Sequence, residues 1–141
     1  LGDIGIQLEL RYEDVPTWLK RVYHRYDFQM NVNYFYQLPD PVLGVHRHYG
    51  TDQIRKGTHF VNSSRYSNPK LDALLDSGAG EPDAAKRTAA YKEIQQILAD
   101  DMPVVNLFEL EFLVVYNTKL KGAYGSAMGA YGSFREAYLD D

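Results

Sequence analysis

The stretch 66–117 constrains the fold most, because it carries the start signals of two consecutive helices. Asn68 can accept hydrogen bonds from the free N–H groups of a first helical turn, and Pro69 suits the first helical position. An apolar face at helical spacing follows, formed by Leu71, Leu74 and Leu75. We expect this helix to end through Gly78 and Gly80, because glycine readily adopts the positive φ found at helix ends.

A second helix is predicted to begin near Pro82 and Asp83, since an acidic group is favourable at the positive end of a helix dipole. Its apolar stripe consists of Tyr91, Ile94, Ile97 and Leu98. We expect Pro103 to follow its end. Residues 104–116 are then rich in β-branched and aromatic types, which predicts a strand.

Four motifs follow one another along this part of the chain. They are Tyr-x-Asn-Pro-x-Leu-Asp-x-Leu-Leu from residue 66, Ala-Lys-Arg-x-x-x-Tyr-x-Glu-Ile-Gln-x-Ile-Leu from residue 85, Asp-x-Pro-Val-Val from residue 101, and Val-Tyr-Asn at 115–117. Their order resembles the C-terminal part of the family 5 extracytoplasmic solute-binding proteins, the oligopeptide, dipeptide and nickel binding proteins of ABC importers. The similarity runs from residue 4 to about residue 122.

The resemblance implies an α/β fold, namely a fragment of the second lobe of a periplasmic-binding-protein-like fold, with a mixed sheet flanked by helices. Family members have much longer chains, which form two lobes around a ligand cleft and present the closed form to an ABC permease. We therefore expect residues 1–121 to be a segment of the C-terminal lobe. Residues 122–141 would be a tail that returns toward a missing N-terminal lobe. The abrupt start at Leu1 also indicates a fragment.

Composition narrows the classes of function. The chain has 141 residues, a net charge of −4 and no cysteine. This excludes disulfides and thiolate chemistry, and it disfavours nucleic acid as a partner because phosphate binding needs clustered basic residues. No apolar run approaches the roughly 20 residues of a membrane span. The resemblance implies a periplasmic or extracytoplasmic location, associated with the membrane through the permease, and no cofactor.

The first part of the chain predicts a strand, a helix and a second strand. Apolar residues alternate with other residues over 4–10 and again over 28–36, which is the period of a strand. Between them, Asp14 can cap an amphipathic helix with Pro16 in its first turn. This order predicts a βαβ unit with two parallel strands. Residues 42–64 show no clear period, and we expect a loop or a short irregular helix there.

The best candidate for a ligand site is the end of the second predicted strand with the proline-rich loop after it, because ligands of open α/β sheets bind beyond the carboxyl ends of strands. The candidate ligand-binding residues are Asn31, Asn33, Tyr34, Phe35, Tyr36, Gln37, Pro39 and Asp40. The alternative is that the tyrosines pack in the core and the loop is only a turn. The resemblance favours the site, because family members line their cleft with this strand and loop.

Gln37 stands where the peptide-binding members of the family have an aspartate that pairs with the ligand's α-amino group. Glutamine offers no charge, only a neutral donor and acceptor. The solute can therefore be a peptide, an opine-like compound, a sugar or a metal complex, and free-amine peptides are not favoured.

Metal binding and catalysis have little support in the sequence. His46, His48 and His59 form the one metal-like cluster, and histidines on polar loops are more often solvated than metal-bound. The chain has no Gly-x-Ser-x-Gly, His-Glu-x-x-His or phosphate-loop motif, so we expect no enzyme and no catalytic residue. The alternatives left open are the ligand-sensing lobe of a transcription regulator and, last, a hydrolase. An incomplete lobe would also expose apolar surface and self-associate.

Overall fold

The computed structural model describes residues 1–36, 38–111, 113–123, 125, 128 and 131–140. Its α-helices are α1 (Val15–Leu19), α2 (Pro41–Tyr49), α3 (Pro69–Gly80) and α4 (Ala84–Asp101). A π-helical segment, Lys20–Arg25, continues α1, and short 3-10 turns lie at Gly2–Ile4 and Thr51–Gln53. Two short strands, β1 (Leu120–Lys121) and β2 (Tyr138–Leu139), pair antiparallel, with Leu120 opposite Leu139. None of the helices in these ranges is both long and apolar enough to cross a membrane.

The pair α3 and α4 forms as the sequence predicts. The Asn68 side chain accepts hydrogen bonds from the backbone N–H groups of Lys70 and Leu71, at 3.0 and 3.2 Å. Asp83 caps α4 in the same way. The two helices pack through Leu71, Leu75 and Ile94, which are fully buried together. The helix α2 adds Val45 and Tyr49 to this cluster.

The expected role of the glycines at the end of α3 is wrong. Gly78 and Gly80 both lie inside the helix, and the residue that follows it, Glu81, has a φ of −76°. Gly78 is buried because α4 passes close to it: an added Cβ would stand 3.2 Å from Cε2 of Tyr91. This glycine is needed for helix packing and not for a turn.

The helix at Asp14 is confirmed at its start and differs at its end. The Asp14 carboxylate accepts a hydrogen bond from the Thr17 N–H at 2.8 Å. The segment then widens to the π form and ends at Tyr26, which has a φ of 54°. Its buried face, Val22 and Tyr23, packs with Val61, and this forms a second core cluster to which Trp18, Leu19 and Phe28 add.

The predicted strands are absent from the part of the chain that the structure describes. Residues 4–10, 28–36, 104–111 and 113–116 have no strand pairing, and the one sheet of the described ranges is the two-stranded β1–β2 pair. The predicted βαβ unit and mixed sheet are therefore wrong here, whereas the broad α/β class is confirmed. A strand needs the backbone of a partner to satisfy its N–H and C=O groups. No described segment pairs with these stretches.

The region 42–64, where we expect a loop or a short irregular helix, contains most of the regular helix α2. Asp40 accepts a hydrogen bond from the Val42 N–H at 2.9 Å, and Pro41 occupies the first turn of α2. These are the same signals that start α3. Val42, Val45 and Tyr49 also stand at helical spacing, so the signal of a short regular helix is present in the sequence.

Candidate functional site

A small cleft lies where the predicted ligand segment meets α2. Its volume is about 210 Å³, and it is lined by Tyr34, Phe35, Tyr36, Arg47 and Phe60. Three of these five residues belong to the predicted site. Aromatic side chains around a few polar groups are typical of small-molecule sites.

Arg47 is the lining residue that the sequence did not reveal. It lies near the end of α2, and its Nη2 donates to the backbone oxygen of Tyr36 at 3.3 Å. Its Nε is buried and has no hydrogen-bond partner among the described residues. Within the same ranges, no carboxylate forms an ion pair with Arg47. A guanidinium that lines a cleft can bind an anionic group through its charge and its remaining N–H groups.

His48 packs against Phe35, one of the aromatic residues that line the cleft. Its side chain is only 3% exposed, and its ring centroid lies 3.7 Å from that of Phe35. Burial, together with the positive charge of Arg47, lowers the pKa of His48 to about 4. The imidazole is therefore neutral at neutral pH, and it does not add a second charge beside Arg47.

Phe60 forms the opposite wall, and the core cluster around Tyr23 holds it in place. Its ring centroid lies 6.0 Å from that of Tyr23 and 6.5 Å from that of Trp18. The backbone at Phe60 has a φ of 57°, which is uncommon for a residue with a side chain. The packing of the ring offsets the strain of that conformation.

The structure separates the remaining predicted site residues from the cleft. Asn33 has a structural role, because its Nδ2 donates to the hydroxyl of Tyr23 at 3.1 Å and its Oδ1 accepts from the Tyr34 N–H. Asn31 and Pro39 are not among the lining residues. Gln37 lies outside the described residues, so its expected place in the site stays a prediction.

Asp40 has a structural role that the prediction did not include. Besides capping α2, its Oδ1 lies 2.8 Å from Nη2 of Arg87 on α4. The hydrogen bond from the Val42 N–H, and then the Arg87 guanidinium, lower the pKa of this carboxyl group. Asp40 thus joins α2 to α4 and does not face the cleft.

A wider groove of about 410 Å³ lies between the start of α2 and one face of α4. Its lining includes Pro41, Arg87, Tyr91, Lys92 and Gln95. The guanidinium of Arg87 is already engaged by Asp40 and lies 5.4 Å from the Tyr91 ring centroid. Because its principal charge is paired, we consider this groove a weaker candidate than the aromatic cleft.

The three histidines of the metal-like cluster do not come together. His46 lies 3.2 Å from Asp52, His48 is buried against Phe35, and His59 contacts His24. In the described ranges, no group of three or more histidines and carboxylates is arranged to hold a metal ion.

The chain is similar in sequence to periplasmic binding proteins. The chain is 30% identical, over 123 residues and 86% of its length, to the probable D,D-dipeptide-binding periplasmic protein DdpA of Escherichia coli. It is 31% identical, over 80 residues and 57% of its length, to the probable ABC transporter periplasmic-binding protein SapA of the same organism. Protein XP55 of Streptomyces lividans is 36% identical over 66 residues, or 47% of this chain.

These alignments cover only part of each relative. The chain spans 23% of DdpA, 14% of SapA and 12% of Protein XP55. No family model and no solved structure matches the chain. The similarity to the two Escherichia coli proteins confirms the resemblance to the family 5 extracytoplasmic solute-binding proteins that the helical motifs indicated.

Proposed function

We propose that this chain is part of an extracytoplasmic solute-binding protein of an ABC importer, and that its aromatic cleft forms part of the solute site. The observation that carries the proposal is the meeting of Tyr34, Phe35 and Tyr36 with Arg47 in one cleft. The resemblance implies that family members line their ligand cleft with this segment. The names of the Escherichia coli relatives agree with a binding role outside the cytoplasm.

The cleft chemistry favours a solute with an anionic group. The aromatic rings offer apolar contact, and the Arg47 guanidinium has an inner N–H group without a partner in the described residues. A carboxylate beside the guanidinium would neutralise its charge, which no carboxylate of the described residues pairs with. Of the solutes considered, peptides and opine-like compounds carry a carboxylate, whereas a neutral sugar does not. DdpA is described as a probable D,D-dipeptide-binding protein; a dipeptide carries such a carboxylate, whereas the neutral Gln37 does not favour its free α-amino group.

The proposed mechanism is closure of two lobes over the solute. This chain supplies one wall, and an N-terminal lobe supplies the other. A ligand can shift the protein toward the closed form only by binding that form more tightly, which requires contacts with both lobes. The closed form then docks on the permease. In this scheme Arg47 orients the solute and performs no chemistry.

Substitution of Arg47 tests the proposal. Calorimetry with the protein expressed from its complete gene would use a panel of L- and D-dipeptides and opine-like compounds, each as the free acid and as the amide. For free acids that bind, Arg47→Gln should cost about 1.5–3 kcal/mol, the usual value of a charged hydrogen bond. Amides of the same compounds should bind both proteins alike.

The matched control is Arg11→Gln, which removes an equally charged side chain whose partner is Glu9. It should leave the affinity unchanged. Equal binding of free acids to the wild-type protein and to Arg47→Gln would contradict the role of Arg47. If no free acid in the panel bound the wild-type protein, the carboxylate specificity would be wrong.

A further inference from the structure

Two histidines that are far apart in sequence face each other at the surface. Nε2 of His24 lies 3.0 Å from Nε2 of His59, and the ring centroids are 5.2 Å apart with planes tilted by 55°. His24 belongs to the π-helical segment Lys20–Arg25, and His59 lies in the loop before Phe60. Both side chains are exposed, so the space beside the two nitrogens is open to solvent.

The surrounding contacts hold the loop of His59 beside the helical segment of His24. The Gly57 N–H donates to the backbone oxygen of Tyr23 at 2.8 Å, which ties the loop to the helical segment. An added Cβ at Gly57 would stand 3.7 Å from Cε1 of His24, so the loop backbone runs beside that ring. The His59 ring centroid lies 5.8 Å from that of Tyr23, which is fully buried. The loop that carries His59 therefore lies against the helical segment that carries His24.

We propose that His24 and His59 form a binding site for a divalent transition-metal ion, Cu²⁺ foremost, through their two Nε2 atoms. Metal–imidazole bonds are about 2.0–2.1 Å long, so two nitrogens 3.0 Å apart subtend an angle of about 94° at a shared ion. Adjacent ligands of a tetragonal Cu²⁺ or Ni²⁺ site meet at about 90°, whereas a structural Zn²⁺ site is tetrahedral. Copper also has the highest affinity for imidazole ligands in the first-row series.

The ion takes the place of the hydrogen that lies between the two rings. With no metal, one Nε2 donates a hydrogen and the other accepts it, because two N–H groups cannot point at each other across 3.0 Å. A metal ion binds to the Nε2 lone pair of each neutral ring, so the ring that carried its hydrogen on Nε2 carries it on Nδ1 instead, and no proton is lost overall. The two rings meet nearly end to end in this hydrogen bond, so coordination requires them to turn until both lone pairs point at one ion.

The other coordination positions are left to solvent or to a small chelating molecule. In the described residues no third histidine or carboxylate completes a ligand set. The site is therefore an open, two-ligand anchor. It rests on the histidine pair alone and does not depend on the proposed solute or on the role of Arg47.

Titration of the chain with copper chloride tests the site. Calorimetry should show one Cu²⁺ bound per chain. His24→Gln and His59→Gln should each weaken binding by about tenfold or more, since even the loss of a supporting group can have that effect. His46→Gln is the matched control, because His46 is paired with Asp52 and lies in another element. It should leave the affinity unchanged.

Pulsed electron paramagnetic resonance of Cu²⁺ on the unmodified chain gives a second readout that needs no variant. We expect the signature of two imidazole nitrogens on one ion. A spectrum with a single imidazole would overturn the proposal, as would a loss of affinity in only one of the two variants or an equal loss in His46→Gln. Thermal unfolding with a chelator present would show whether each variant is folded. If a variant is not folded, the resonance spectrum of the unmodified chain alone tests the proposal.

Discussion

At the scale of single residues, Asn62 joins the loop 50–66 to the helical pair. It is only 1% exposed, and its Nδ2 donates to the backbone oxygens of Gly50 and Tyr66 at 3.0 and 2.8 Å. Its Oδ1 accepts from the Ser64 hydroxyl at 2.9 Å. One amide thus satisfies two backbone carbonyls beside the start of α3. A buried carbonyl without a donor is costly.

We expect Asn62→Ala to lower the free energy of unfolding by about 2–3 kcal/mol, since it leaves buried acceptors unsatisfied. Chemical denaturation would measure the change. The control is Asn106→Ala, whose side chain is exposed and which should stay within about 0.5 kcal/mol of the unmodified chain. A loss of similar size in both variants would show that Asn62 has no special role.

The titration of His48 makes the free energy of unfolding depend on pH, in a pH range above the one in which carboxylates titrate. Its pKa is about 4 in the folded chain and 6.5 as an ordinary histidine, so the unfolded chain binds the proton first as the pH falls. Its contribution is therefore complete above pH 6.5 and is lost between about pH 6.5 and pH 4, by about 3 kcal/mol in total. The cause is burial, followed by the nearby charge of Arg47.

Replacement of His48 by phenylalanine keeps a ring against Phe35 and removes the titration. The stability of His48→Phe should fall less steeply than that of the unmodified chain between pH 6.5 and pH 4, as measured by denaturation at a series of pH values. His46→Gln should keep the steep fall. Identical slopes for the unmodified chain and His48→Phe would refute this assignment.

At the scale of elements, the α3–α4 pair is the best-defined part of the fold. The buried side chains of Leu71, Leu75 and Ile94 join the two helices, and an ion pair of 2.7 Å between Lys70 and Glu93 lies on their surface. The start of α3 and the end of α4 also meet, because Asp101 accepts hydrogen bonds from Tyr66 and Asn68. The apolar contacts dominate stability, since exposed ion pairs contribute little.

Leu75→Ala should therefore lower the free energy of unfolding by about 2–5 kcal/mol, the usual cost of a cavity at a fully buried leucine. Leu107→Ala is the matched control: its side chain is 69% exposed, and it should change stability by less than about 0.5 kcal/mol. Urea unfolding followed by circular dichroism would measure both. A small effect at Leu75 would mean that the helical pair is not the cooperative core.

At the scale of the whole molecule, apolar side chains are exposed along three stretches that lack secondary structure. They include Leu8, Leu10, Val32, Leu113 and Val115. Leu113 and Val115 are 93% and 94% exposed, and such extended apolar surface is typical of an interaction site. In the proposed solute-binding protein, other parts of the polypeptide would cover it.

We expect the 141-residue chain on its own to self-associate through this surface. Sedimentation velocity should show oligomers whose proportion rises with concentration. The double substitution Leu113→Asp with Val115→Asp should reduce the proportion of oligomers, because the two aspartates place negative charges on this surface. Gln7→Asp with Thr118→Asp adds the same charge at exposed polar positions and should have less effect. Sedimentation of the unmodified chain as a monomer over a wide concentration range would contradict this prediction.

The sequence by itself determined the helices that begin with a local cap. Asn68, Asp83 and Asp14 each accept hydrogen bonds from N–H groups two or three residues ahead, so the signal and the contact lie in the same short segment. The family resemblance also follows from local order along the chain. The sequence further indicated the aromatic segment 34–36, which the structure places in a cleft.

Only the tertiary structure decided which distant residues meet. The predicted strands did not form, because alternation of apolar residues marks a face but supplies no backbone partner. Arg47 joined Tyr36 only because α2 formed and turned its last residues toward that segment. His24 and His59 are separated by 35 positions, and no local pattern predicts their contact. Local hydrogen bonds can be predicted from spacing, whereas contacts across the fold depend on how the helices pack.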